Sequence, residues 1–121
     1  MKKTSPNSSS KANKYDAEQF LYLTTRGRKS GLPRQIEIWF TEWAGRFYVI
    51  AEYDSSQWVQ NLCAHPEVHV RVAGEQFEGS ARVVDPKTER ELHRAIQELS
   101  QKKYGWGDGT VVELEISKSS P

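Results

Sequence analysis

Hydrophobic residues recur along this chain with two different periods, and the change of period separates strands from helices. Alternation of apolar or β-branched residues with polar ones, bounded by glycine-containing turns, predicts β-strands. Six segments have this character: Phe20–Thr25, Pro33–Thr41, Phe47–Ala51, Val68–Val72, Gln76–Val84 and Thr110–Ile116. A hairpin turn over Glu42–Arg46 is expected to join the second strand to the third.

Two stretches have the helical period instead. In the first, the apolar residues Trp58, Val59, Leu62 and Cys63 recur at helical spacing. We expect Asp54 to be its N-cap, and His65-Pro66 to end it, because the residue before a proline disfavours the helical conformation. In the second, Asp85 and Pro86 are expected at the N-cap and N1 positions. Its predicted buried stripe consists of Leu92, Ala95, Ile96 and Leu99.

The resulting order is β-β-β-α-β-β-α-β, and it predicts a mainly β protein with two helices, of the α+β class. Short neighbouring strands joined by tight turns pair antiparallel, and six of them curl into a small barrel that the helices cover. We expect one domain over residues 15–116. The segments 1–14 and 117–121 are rich in Ser and Lys and are expected to be solvated, disordered tails.

Composition narrows the possible functions. The formal charge of +1 on 121 residues argues against a general nucleic-acid binder, which usually carries a large basic excess. The single Cys63 excludes an internal disulfide, and His65, His69 and His93 show no ligand spacing, so no metal site is expected. No run of 18 apolar residues and no signal-peptide pattern occurs. We therefore expect a cytoplasmic protein without a transmembrane segment.

The turn between the first two strands concentrates positive charge. Arg26, Arg28, Lys29 and Arg34 place four cations within nine residues, and Gly27 and Gly31 lie among them. Glycines let backbone N–H groups approach an anion, and the arginine guanidinium suits phosphate or carboxylate oxygens. Short basic loops are also common as solvated hairpin tips, and by composition alone we favour that interpretation.

Two sequence motifs favour an anion-binding role for this turn over a solvated hairpin tip. The run Leu23–Arg34 resembles the T-T-x-G-R-K-S-G-x-P-R signature of the deazaflavin-dependent nitroreductase family, within the split β-barrel flavin-binding superfamily. The run Trp58–Val68 is similar to that family's W-x-x-N-L-x-A-x-P-x-V motif and follows the third strand, as the family requires. The resemblance extends from about Phe20 to Asp85. It implies a split β-barrel and, as cofactor, coenzyme F420, a deazaflavin with a phosphate and an oligoglutamate tail.

The resemblance assigns cofactor-binding residues position by position. Arg28 and Lys29 match residues near the anionic tail of the cofactor, and Arg34 matches the arginine that ends the first motif. Trp58 and Asn61 match the helix motif, although for Trp58 core packing is the stronger expectation. The stretch Glu52–Ser56 replaces a glycine-containing loop of the family, and there Ser55 and Ser56 are expected to donate hydrogen bonds near the helix N-terminus.

The implied reaction is hydride transfer to a quinone, a nitro group or an activated C=C bond. The catalytic residue is unassigned, and Tyr53 and Tyr104 are the candidates for proton donation. A homodimer with exposed aromatic residues at its interface is a further hypothesis. Three alternatives stay open at this stage: a reductase that uses FMN on the same barrel, a non-enzymatic carrier of a hydrophobic ligand, and an RNA-binding barrel. The near-zero net charge disfavours the last, so no nucleic-acid partner is expected.

Overall fold

The computed structural model describes residues 15–118 and contains seven strands and two helices within them. The chain is mainly β, as predicted. The strands are β1 Leu21–Arg26, β2 Pro33–Ile38, β3 Thr41–Trp43, β4 Arg46–Ala51, β5 Glu67–Val72, β6 Glu75–Val83 and β7 Thr110–Lys118. The helices are α1 Gln57–Ala64 and α2 Arg90–Tyr104.

All seven strands belong to one antiparallel sheet with the order β2-β1-β5-β6-β7-β4-β3. The edge strands β2 and β3 are neighbours in sequence, separated only by Trp39 and Phe40. Since a residue spans at most about 3.6 Å, those two residues can link the edges only if the sheet curls until its edges almost meet. The sheet is therefore a curled half-barrel that the β2–β3 crossing nearly closes.

The core fills the inside of this curl. Leu21, Leu23, Phe47, Val70 and Leu114 are among its fully buried residues, and they lie at alternate positions of their strands. A smaller cluster on the other face lies beneath α2 and is made of Tyr48, Val84, Ile96 and Val111. In α2 only Ile96 and Ser100 are fully buried, while the other residues of the predicted stripe are partly exposed.

The prediction of six strands was wrong by one. The segment Pro33–Thr41 was expected to be one strand, but the structure breaks it at Trp39-Phe40 and places its two parts on opposite edges of the sheet. Continuous β character cannot reveal this change of partner. The predicted hairpin turn also shortens to Ala44-Gly45, both with positive φ, because Glu42 and Trp43 pair with β4.

Both predicted helix starts were wrong. The N-cap of α1 is Ser56 rather than Asp54, and the Ser56 hydroxyl turns back to donate to the Tyr53 carbonyl at 2.7 Å. The N-cap of α2 is Glu89 rather than Asp85. The Asp85 carboxylate accepts the Lys87 N–H at 2.9 Å, so Asp85 forms a turn that delays the helix.

Two further expectations need correction. Cys63 was expected on the buried stripe of α1, but its side chain is exposed, because Val59, Asn61 and Leu62 form the buried face. The C-terminal tail was expected from residue 117, whereas β7 continues to Lys118 through pairing with β6. The predicted tails 1–14 and 119–121 lie outside the described residues.

Candidate functional site

The basic turn between β1 and β2 has a defined backbone. The Gly27 N–H donates to the Leu32 carbonyl and the Gly31 N–H donates to the Gly27 carbonyl, both at 2.8 Å. Gly31 has φ of +74°, a conformation that side chains disfavour, and this allows the chain to reverse after the cations. The Leu32 N–H is also bound, to the Ser30 hydroxyl at 3.1 Å. The turn therefore presents its cations from a hydrogen-bonded frame.

Helix α1 holds one of these cations in place. The side-chain oxygen of Asn61 accepts the Arg28 backbone N–H at 3.2 Å and its guanidinium Nη1 at 3.0 Å. The same Nη1 donates to the side-chain oxygen of Gln57 at 2.9 Å. Asn61 is itself buried, and its amide nitrogen donates to the Thr25 hydroxyl of β1 at 3.3 Å. This network ties the turn, β1 and α1 together around Arg28.

The cations of the turn have no acidic partner. Among the residues that the structure describes, no carboxylate forms an ion pair with Arg28, Lys29 or Arg34. All three line a cavity of about 610 Å³ whose other walls come from the turn, β2 and α1: Gly27, Ser30, Ile36, Gln57, Trp58 and Asn61. One guanidinium nitrogen of Arg28 donates to the side-chain oxygens of Gln57 and Asn61. Because these amide oxygens are neutral, they do not compensate the positive charge of Arg28. The cavity, which we call the basic pocket, therefore offers uncompensated positive charge of the kind that an anion requires.

Trp58 belongs both to the core and to this cavity. It is partly buried, packs against the main core cluster and lines the basic pocket. Core packing and cofactor contact are not exclusive for Trp58, because a residue at the edge of the core contacts both the core and the cavity. Its indole offers an apolar wall beside the cations.

Three other predicted residues lie elsewhere. Ser55 lines a different cavity, together with Val59 and Cys63 of α1. The hydroxyl of Ser56 is engaged by the Tyr53 carbonyl, as described above, and neither serine lines the basic pocket. Tyr53 is 64% exposed. The structure thus brings together Arg28, Lys29, Arg34, Trp58 and Asn61, but not Ser55, Ser56 or Tyr53.

Tyr104 is held in place by hydrogen bonds to backbone groups and by ring stacking. Its hydroxyl oxygen accepts the Phe40 N–H at 3.1 Å and lies 2.8 Å from the Phe40 carbonyl and 2.6 Å from the Gln19 carbonyl. Burial raises the pKa of the phenol. Its ring stacks on Trp39 with centroids 4.4 Å apart. Tyr104 therefore anchors the end of α2 to the β2–β3 crossing.

A second cavity, of about 570 Å³, lies at this crossing and is called the aromatic pocket below. Its aromatic walls are Trp39, Phe40, Tyr48 and Trp106. The aliphatic side chains Ile38 and Ile50 complete the apolar lining, and the polar residues at the pocket are Glu37, Thr41, Glu52 and Ser100. Such a lining suits a flat organic molecule.

A partly buried charge network supports one wall of the aromatic pocket. The Tyr48 hydroxyl donates to the Glu113 carboxylate at 2.7 Å, and Arg82 donates to the same carboxylate at 2.8 Å. Arg82 also forms a two-pronged ion pair with Glu89, at 2.7 and 2.8 Å. Burial and the neighbouring Glu113 carboxylate raise the pKa of Tyr48 well above its usual value. The network holds the Tyr48 phenol protonated and fixed.

Sequence reasoning missed Gln57 and Thr25 at the basic pocket. Gln57 and Asn61 are four residues apart, so both lie on one face of α1, and this spacing was a usable signal. No comparable signal existed for Thr25, whose role depends on the packing of α1 against β1.

A comparison with protein-family models identifies the family of this chain. The model described as "F420H(2)-dependent quinone reductase" matches residues 3–113, which is nearly the whole chain. The chain belongs to this family. The protein is therefore an oxidoreductase, and the cofactor of its family is coenzyme F420, as the sequence motifs predicted.

Solved structures share the fold at low sequence identity. An F420-H2 dependent reductase (FDR-A) matches with a TM-score of 0.60 and 21% identity over 80% of this chain and 94% of that chain. A FAD-binding protein from Mesorhizobium loti matches with a TM-score of 0.70 and 16% identity over 95% and 91%. A structure described as a domain-swapped dimer matches with a TM-score of 0.61 and 20% identity over 80% of each chain.

The donor set of the basic pocket fits F420. A phosphate followed by several carboxylates needs clustered cations that no protein carboxylate neutralises, and Arg28, Lys29 and Arg34 meet this need. Across residues 15–118 no cluster of three metal-ligating side chains occurs. Neither helix of that part of the chain is long and apolar enough to cross a membrane.

Proposed function

We propose that this protein binds reduced F420 with the anionic tail at the basic pocket and transfers a hydride to a quinone. The observation that carries the proposal is the convergence of Arg28, Lys29 and Arg34 on one cavity, where no carboxylate of residues 15–118 forms an ion pair with them. Arg28, Lys29 and Arg34 would hold the phosphate and the first glutamates. Trp58 would pack against the apolar portion of the cofactor.

The two pockets adjoin along β2. Ile36 lines the basic pocket, and its neighbours Glu37 and Ile38 line the aromatic pocket, which also includes Tyr48 and Ile50 on the face of the sheet beneath α2. Two residues of a strand span about 7 Å, a distance that one cofactor molecule covers easily. A tail bound at the basic pocket therefore lets the ring of the cofactor reach the aromatic pocket, where we place the acceptor.

The protein's own contribution is binding and orientation. When bound, F420 supplies the hydride chemistry through its deazaflavin ring. The aromatic walls hold a flat acceptor and exclude water from its faces. Tyr104 is engaged by backbone groups and Tyr48 by Glu113, so neither phenol is placed as a proton donor, and the reduced quinone takes its proton from solvent.

Turnover tests the proposal. Purified protein is mixed with reduced F420 and 2-methyl-1,4-naphthoquinone, and the reappearance of oxidised F420 is followed by absorbance. Saturable oxidation that depends on the quinone is expected, with slower or no turnover when reduced FMN replaces reduced F420. Parallel assays with a nitroarene and an enone establish which acceptor is preferred. Oxidation no faster than the uncatalysed rate with all three acceptors would refute the proposal.

A further inference from the structure

We propose that the aromatic pocket binds flat heteroaromatic cations more tightly than neutral or anionic molecules of the same shape, which makes such cations a second acceptor class beside the quinone. The proposal concerns the class of acceptor, and as a statement about turnover it rests on the proposed function. As a statement about binding it stands alone. It starts from the two carboxylates at the pocket.

Glu37 of β2 and Glu52, which follows β4, line this pocket, and both are exposed. Within the described part of the chain neither carboxylate forms an ion pair or a side-chain hydrogen bond with a cation. No lysine, arginine or histidine lines the pocket. The lining residues therefore carry two negative charges and no positive one, a balance that favours a cation over a carboxylate.

The aromatic walls favour the same ligand class. The face of an indole attracts a cation through the ring quadrupole, and aromatic cages bind organic cations in this way. Trp39 stacks one face on Tyr104 and is 44% exposed, so its other face is accessible. The Phe40 ring already contacts a cation, because the Lys103 ammonium lies 4.1 Å from the ring centroid. Trp39 and Trp106 are thus the rings available to a bound cation.

Thr41 gives an independent sign that the pocket is a ligand site. Its side chain is 4% exposed, and its hydroxyl has no hydrogen-bond partner among the described residues. Buried polar groups are normally paired, and an exception calls for an unseen partner. Thr41 is one of the residues that line the aromatic pocket. A polar atom of a ligand in the pocket is a suitable partner for this hydroxyl.

Hydride transfer is chemically suited to a cationic acceptor. A heteroaromatic cation that gains a hydride, one proton with two electrons, becomes a neutral dihydro product, so no proton donor is needed. The C–H bond of the reduced cofactor that supplied the hydride breaks, and the oxidised cofactor releases its remaining proton to solvent. The neutral product loses its attraction to Glu37 and Glu52, which promotes its release.

The test is a calorimetric titration without cofactor, using quinoline, 1-methylquinolinium and quinoline-6-carboxylate. We expect 1-methylquinolinium to bind about tenfold tighter than quinoline, quinoline-6-carboxylate to bind at least tenfold more weakly, and the preference for the cation to fall as salt rises. Glu37→Gln with Glu52→Gln should reduce the preference to about two- to threefold, the part that the indoles supply. Glu91→Gln with Glu98→Gln, which changes the net charge equally on the exposed face of α2, should leave it unchanged.

Equal affinity for the three probes in the parent protein would overturn the inference. So would an undiminished preference in the Glu37/Glu52 variant whose thermal midpoint is unchanged. If that variant unfolds, Glu37→Gln and Glu52→Gln are measured singly, and each should lower the preference. Because no F420 is present, a failure here leaves the proposed cofactor site standing, and a failure of F420 turnover leaves this binding result standing.

Discussion

At the residue scale, buried polar side chains differ in whether they have a hydrogen-bond partner, and this difference separates structural residues from residues available to a ligand. Asn61 is buried and fully engaged by Thr25 and Arg28. Thr41 is also buried, and its hydroxyl has no hydrogen-bond partner within residues 15–118. A buried residue of the first kind maintains the site geometry, whereas one of the second kind is available to a ligand. The difference between them can be measured by substitution.

Thr41→Val replaces the hydroxyl by a methyl group of nearly the same shape. Removal of an unsatisfied buried polar atom is neutral or stabilising, so we expect a free energy of unfolding equal to or slightly above that of the parent protein. Urea denaturation followed by tryptophan fluorescence measures it. A loss of more than about 1 kcal/mol would show that the hydroxyl has a structural partner.

Trp58→Ala addresses a residue shared by core and pocket. Truncation of a fully buried aromatic costs roughly 3–5 kcal/mol, and because Trp58 is only partly buried we expect a smaller loss, about 1–3 kcal/mol. We also expect weaker F420 binding, since the indole lines the basic pocket. A variant as stable as the parent would make Trp58 a binding residue alone, and a variant with unchanged F420 affinity would make it a core residue alone.

At the scale of elements, the sequence predicted what depends on local pattern and failed where distant partners decide. The alternating valines of Val68–Val72 and the apolar stripe around Ile96 sufficed for β5 and α2. The division of Pro33–Thr41 did not follow from its pattern, because it depends on which edge each half joins. In the site, the motif predicted Arg28 and Asn61, but the pairing of Arg28 with Gln57 required the packing of α1 against the turn.

The start of α2 depends on an ion pair and is therefore sensitive to pH. Hydrogen bonds from Arg82 and from the Asp85 N–H lower the pKa of Glu89 from its model-peptide value of 4.5 to about 2. A carboxyl group whose pKa is lower in the folded state contributes stability above its unfolded pKa. That contribution is lost as pH falls from about 4.5 toward 2.

Glu89→Gln removes this dependence. We expect the variant to melt at a lower temperature than the parent protein at pH 7, and the gap between the two to close as pH is lowered through the range from about 4.5 to 2. Circular dichroism melts at several pH values measure it. A gap that stayed constant across that range would show that the charge of Glu89 does not stabilise the helix start.

At the scale of the whole molecule, the two ends of β2 border two different pockets. The basic turn lies before β2 and the aromatic pocket lies at its end, and the curl of the sheet places α1 beside the first and the end of α2 beside the second. This arrangement suits a long cofactor with an anionic tail and a flat ring. In the proposed function, this single short strand separates the residues that anchor the cofactor from the pocket that holds the acceptor.

A homodimer remains a prediction at this scale. The edge strand β3 carries Trp43, which is 41% exposed, and an exposed aromatic residue on an unpaired edge is typical of an interface. Analytical ultracentrifugation of the parent protein and of Trp43→Ser measures the mass in solution. A dimer that the substitution dissociates is expected, and a monomer at all concentrations would contradict it.

The central claim is that the basic pocket binds the anionic tail of F420, and the most direct test is a calorimetric titration at low salt. Hydrogen bonds to charged groups contribute roughly 1.5–3 kcal/mol each, so Arg28→Ala with Lys29→Ala should weaken F420 binding by about two orders of magnitude or more. Lys87→Ala with Arg94→Ala, an equal change of charge at exposed positions, should not weaken it. The loss should shrink for F420 trimmed of its glutamates. Unchanged affinity in the Arg28/Lys29 variant would contradict the account.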